Sequence, residues 1–123
     1  MDMDFDSNDP QVINPNLGLK LANNKPELAE SLLKMLVDEL PEMKTNILEA
    51  YAKKDHESLS KAVHKLHGGC CYCGVPRMKS AASMLESILK TGSSEPEAVD
   101  ILVKALISEI GQVMACYEES YQS

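Results

Sequence analysis

The sequence predicts an all-α fold: an antiparallel four-helix bundle with a short N-terminal lid helix. Apolar residues recur at three-to-four spacing through most of the chain, the signature of helices with one buried face. Pro, Asn, Asp and Gly fall at intervals that suit helix ends. No segment sustains the period-two alternation and β-branched enrichment of strands. Composition agrees, being 44% hydrophobic yet only 4% aromatic, with Leu, Ala, Met, Lys and Glu favouring helix. A chain of 123 residues suits one domain with a modest core.

Residues 1–12 read as a disordered acidic tail and 13–123 as the bundle. The short helix begins after Asn14, with Pro15 at its first position, and runs to about Ala22. Asn24-Lys25-Pro26-Glu27 reads as a capping box opening a helix over 25–53. Leu28, Leu32, Met35, Leu36 and Leu40 form its stripe, and Met43, Ile47 and Tyr51 continue it beyond Pro41. Pro41 lacks an N–H, so it should interrupt or kink that helix. Asp55 is the expected N-cap of a helix over 55–73, with Leu59, Ala62, Val63, Leu66, Cys70 and Cys73 inward and Gly74 as C-cap. Pro76 opens a helix over 75–91 carrying Met78, Ala81, Ala82, Leu85, Ile88 and Leu89. Ser94-Glu95-Pro96-Glu97 reads as a second capping box. The last helix, 95–120, carries Ala98, Ile101, Leu102, Ala105, Leu106, Val113 and Tyr117.

A net charge of −7 argues against nucleic acid and anionic membrane surfaces, which need a basic face. No apolar run approaches the roughly 20 residues that span a bilayer. The start Met1-Asp2-Met3-Asp4-Phe5-Asp6 lacks the basic and apolar regions of a signal peptide, so a cytoplasmic location is expected. Cys70, Cys71 and Cys73 crowd together, with Cys116 apart; they suit free thiols rather than a disulfide framework.

His64 lies about 100° around its helix from the inward Val63 and points away from the core stripe. Its neighbours one turn away are Ser60, Lys61, His67 and Gly68. Gly68 removes a side chain beside His64 and opens an approach for a bulky anion or another backbone. Gly69, nearer the core, suits tight helix packing. From Ser58 to Leu85 there is no acid, yet Lys61, Lys65, Arg77 and Lys79 are present. That is +4 in a chain of −7, leaving −11 for the rest. A neutral imidazole is a competent nucleophile. The nearby cations should lower its pKa and later pair with phosphoryl oxygens. Neither a Gly-rich nucleotide loop nor an obvious magnesium site is present.

The run His64-Lys65-Leu66-His67-Gly68-Gly69-Cys70, followed by Gly74, resembles the phosphorylation motif of histidine-containing phosphotransfer (HPt) domains. Extended to Lys79, it looks like the C-terminal HPt domain of BarA/GacS-type bacterial hybrid sensor kinases, a likeness running from about Leu17 to Tyr117. The resemblance implies a four-helix bundle in which His64 accepts a phosphoryl group from a receiver-domain aspartate and passes it to another receiver. Lys65, His67 and Gly68 would support the phosphohistidine. Position 67 is often Lys elsewhere in the family. Ser60, Lys61, Cys71 and Arg77 are the candidate docking residues. The domain would be a monomeric relay rather than an enzyme, needing no cofactor of its own, with magnesium on the partner receiver.

Two rival readings use the same residues. His64, His67, Cys70 and Cys73 could be metal ligands, but residues three apart step back about 60° each, so four span about 180° of a helix. One ion cannot collect them all. A pure adaptor bundle would explain the helices but not the acid-free face. His56 reads as a solvated residue near a helix start.

Overall fold

The structure, a computed structural model, describes residues 11–91 and 95–121. Among these residues five helices form, α1 (Pro15–Leu21), α2 (Pro26–Ala52), α3 (His56–Cys70), α4 (Pro76–Thr91) and α5 (Pro96–Tyr121), and no strand. Around the bundle, α2 packs on α3, α3 on α4, α4 on α5 and α5 on α2, while α1 lies against α2. The antiparallel arrangement shows in three cross-links. His56 at the start of α3 meets the Leu89 carbonyl near the end of α4 (3.1 Å). Arg77 at the start of α4 reaches Glu109 in the second half of α5 (2.9 Å). Tyr51 at the end of α2 donates its hydroxyl hydrogen bond to Asp100 at the start of α5.

Each main helix turns one stripe inward. Leu36, Leu40, Met43 and Ile47 of α2 meet Leu59, Val63, Leu66 and Cys70 of α3. Met78, Ala82, Leu85 and Leu89 of α4 meet Val103, Leu106, Ile110, Val113 and Tyr117 of α5. Leu40, Ile47, Leu66, Leu85, Leu106 and Ile110 are fully enclosed, each contributing about 1.5–3 kcal/mol of burial.

Several local expectations change. The Asn24 capping box does not form. Asn23 and Asn24 take left-handed conformations (φ 60° and 63°), and their N–H groups close the end of α1 on Lys20 and Leu19 (3.0 and 2.8 Å). Asn is suited to that role, so the N-cap of α2 passes to Lys25, which makes no side-chain cap. Pro41 does not interrupt α2. It sits on the exposed face, away from the core contacts that hold the helix, and Thr45 Oγ1 donates to its carbonyl (3.1 Å). The α2 stripe is also rotated: Leu33 is buried, whereas Leu28 and Met35 are exposed. In α5, Ile101 and Ala105 face outward while Val103 and Ile110 are inward. Helix α3 stops at Cys70 with Cys71 as C-cap, so Cys73 is core without being helical.

Gly74 is therefore not the C-cap. It is buried where α1 crosses the α3–α4 turn, with Asn14 N–H donating to its carbonyl (2.7 Å). A Cβ there would lie 2.2 Å from the Asn14 oxygen and 2.6 Å from the Gly18 nitrogen. Close backbone approach fixes this glycine. Asn14 caps α1 through Leu17 N–H (3.0 Å), as expected. Residues 1–10 and the capping Ser94 lie outside the described residues. Val12, assigned to the tail by sequence, packs partly against the core.

Candidate functional site

Helix α3 is phased from its first turn. Asp55 accepts from Ser58 N–H (3.1 Å) and Ser58 Oγ (2.8 Å), and these two bonds, backbone first, hold its carboxyl below the ordinary range. With Val63 and Leu66 sealed in the core, His64 must emerge on the outer face. Its side chain is 71% exposed.

The neighbour it meets is Glu86 of α4, whose side chain is only 7% exposed. Glu86 sits one residue beyond the core Leu85, so the packing of α4 aims it at α3. One carboxylate oxygen, Oε2, accepts from His64 Nδ1 and lies 3.5 Å from Lys90 Nζ. The other, Oε1, is 2.8 Å from His67 Nδ1. Burial alone would raise this carboxyl. The His64 hydrogen bond and the Lys90, His64 and His67 charges outweigh burial and leave it below its ordinary value.

An ionised carboxylate can only accept. Facing it, His64 Nδ1 must carry the hydrogen, so in the neutral ring Nε2 holds the free lone pair. Glu86 thereby fixes both the tautomer and the ring plane of an exposed imidazole. This corrects the expectation of a purely cationic surround: the group closest to His64 is a carboxylate.

The remaining site residues divide by direction. Gly68 has nothing within 4 Å of where a Cβ would stand, so the space beside His64 is open. Gly69 packs as expected, its Cβ position 3.1 Å from Leu36 Cδ1. Ser60 and Cys71 are half-buried. Lys61 pairs with Glu57 (3.4 Å) in the exposed first turns of α3. Lys65 lies on the other flank, lining an open groove with Asn46, Glu49, Lys53 and Lys61. Arg77 is turned to α5 by its bond to Glu109, so the structure does not bring it to His64. His56, expected to be simply solvated, is exposed but ties α3 to the Leu89 carbonyl.

Cys70 and Cys73 are buried and do not join the histidines. Burial pushes the Cys70 thiol far up and that of Cys73 to about 11. Among the described residues no cluster of three or more His, Cys, Asp or Glu is placed to hold a metal. Sequence reasoning missed Glu86 and Lys90. The available signal was Glu86's position: it ends the acid-free run and adjoins a core Leu.

A family model described as "Hpt domain" matches residues 31–115, most of the bundle and the whole of α3 and α4. The chain belongs to the Hpt family. Its role is histidine phosphotransfer within a phosphorelay. This Hpt domain is 41% identical over 101 residues to the signal transduction histidine-protein kinase BarA of Shigella flexneri, covering 74% of this chain and 11% of that protein. It is 38% identical over 99 residues to the sensor protein GacS of Pseudomonas syringae pv. syringae, covering 80% of this chain and 11% of that one. The chain thus spans about a tenth of the length of these relatives. The crystal structure of the HPT domain of a Shewanella sensor hybrid histidine kinase superposes with a TM-score of 0.84 at 34% identity, covering 90% of this chain and 94% of that one. Hpt domains of hybrid kinases interact with receiver domains. No described helix is long and apolar enough to cross a membrane.

Proposed function

We propose that His64 is the phosphoacceptor of this Hpt domain and that Nε2 is the reacting atom. One observation carries the reading: an exposed imidazole whose Nδ1 is held by the buried Glu86 carboxylate, leaving Nε2 directed outward. The Nε2 lone pair attacks the phosphorus of a receiver's aspartyl phosphate. The N–P bond forms as the P–O bond to the aspartate breaks, and that electron pair returns to the aspartate carboxylate. The Nδ1 proton stays in place, so the product ring carries positive charge, which Glu86 stabilises. Transfer to a second receiver runs the same step in reverse.

The domain is a relay and not an enzyme in its own right. Magnesium and the acceptor carboxylate come with the receiver. Its docking face centres on His64 and Gly68, with Ser60, Lys61 and Cys71 around them. Arg77, held by Glu109, takes no part. Lys65 supports docking from the α2 side, and His67 supports the site through the shared Glu86 oxygen pair. The domain works as a cytoplasmic monomer between the receiver of a hybrid sensor kinase and that of a response regulator, through a modest, transient contact.

The test is incubation with a phosphorylated receiver domain. The parent should take up phosphate and His64→Gln should not. Lys65→Glu should slow uptake while the helical content stays unchanged; uptake at the parent rate would remove Lys65 from the site.

A further inference from the structure

We infer that Lys90, on α4, supplies the cation that binds the phosphoryl group on His64. The inference rests on His64 being the phosphoacceptor. Of the basic residues that precede or follow His64 along α3, Lys61 lies beside Glu57 one turn earlier and Lys65 lines the groove towards α2. Arg77 is bonded to α5. Lys90 instead comes from the facing helix, where its Nζ is 3.5 Å from Glu86 Oε2, the same oxygen that holds His64 Nδ1. Its side chain is 67% exposed, so it is tethered at the carboxylate yet free to swing outward.

The charge changes during transfer favour that swing. Before transfer, Glu86 is the local anion and Lys90 its counter-charge. After transfer, a phosphoryl group bearing about two negative charges stands at Nε2, on the solvent side of the ring. At the same moment the ring becomes cationic and takes over the neutralisation of Glu86. Lys90 is released from the carboxylate as a stronger anion appears within reach, and its ammonium pairs with the phosphoryl oxygens. Glu86 and Lys90, one turn apart on α4, thus divide the work. The carboxylate holds the ring and the lysine holds the phosphate.

The full chain with Lys90→Gln, Lys90→Arg and His64→Gln should be compared in uptake from a phosphorylated receiver domain. The phosphorylated proteins should also be followed by phosphorus NMR across pH. Lys90→Gln should slow uptake about tenfold, the size of one charge-assisted hydrogen bond, and Lys90→Arg should restore most of it. The phosphoryl group's second ionisation should move to higher pH in Lys90→Gln, a change that loss of an exposed Glu86–Lys90 pair alone would not produce. The unfolding midpoint should stay within error, because exposed ion pairs contribute little. Parent-like uptake and an unmoved phosphorus titration in Lys90→Gln, with His64→Gln inactive, would overturn the role of Lys90 alone. Uptake by His64→Gln would overturn the phosphoacceptor reading beneath it.

Discussion

Glu86 of α4 accepts the Nδ1 hydrogen of His64 of α3 across the helix interface, a contact between residues 22 positions apart. It makes the orientation of the exposed imidazole a property of bundle packing. Glu86 stays in place because Leu85 and Leu89 on either side of it are core. Any change that rotates α4 against α3 should disturb the His64 ring before it unfolds the domain.

Acid should expose this coupling. The Glu86 carboxyl lies below its ordinary value of 4.5, because the His64 bond and nearby positive charges overcome the opposing effect of burial. A depressed folded-state value means that folding favours the ionised form. The resulting stabilisation is complete above pH of about 4.5 and is lost as pH falls through the depressed value. Urea midpoints measured from pH 5.5 down to 3 should therefore decline more steeply for the parent than for Glu86→Gln. Parallel curves would mean that Glu86 is not ionised and paired as described.

Two glycines should respond oppositely to alanine. At Gly74 the new Cβ would collide with backbone atoms of Asn14 and Gly18, and such overpacking costs about 1–3 kcal/mol. At Gly68 the space is empty, so Ala should stabilise α3 by about 0.5–1 kcal/mol through helix propensity. If access to His64 is what Gly68 provides, the same variant should also accept phosphate more slowly. Thermal unfolding and transfer rates measured on both variants check the pair; a stable Gly74→Ala would contradict the close approach of α1 to the α3–α4 turn.

Thiol reactivity offers an independent check on the α3–α4 corner. Cys71 and Cys116 are half-exposed, whereas Cys70 and Cys73 are buried with raised thiol values. A disulfide reagent at neutral pH should label Cys71 and Cys116 promptly and the other two only on unfolding. Fast labelling of Cys73 would show that the corner opens, and would weaken the case that Cys73 is a core residue bonded to the Leu32 carbonyl (3.4 Å).

The bundle was legible because its determinants are local. The stripes in α3 and α4, the Asp55 cap and the Pro15, Pro26, Pro76 and Pro96 starts all follow from spacing along one strand of sequence. His64 could be placed outside the core by the same rule. Errors arose where neighbouring elements compete for a residue. Asn24 suits either the end of α1 or the start of α2, and its left-handed backbone assigns it to the first. Leu28 and Met35 fit an apolar spacing, but Leu33 is the residue that the core buries. Glu86 and Lys90 were missed because their meaning depends on the rotation of α4 about its own axis relative to α3, which periodicity within a single helix does not determine. The direction of Arg77 depends on the same rotation. It shares a helix with Glu86 but is directed to α5.

The central claim is that His64 carries the phosphoryl group. The most direct measurement is phosphate uptake from a labelled phosphorylated receiver domain by the parent and by His64→Gln, with circular dichroism showing that both are folded. Uptake confined to the parent, as acid-labile phosphate, is the expected result. Equal uptake by folded His64→Gln would contradict it and place the phosphoacceptor elsewhere.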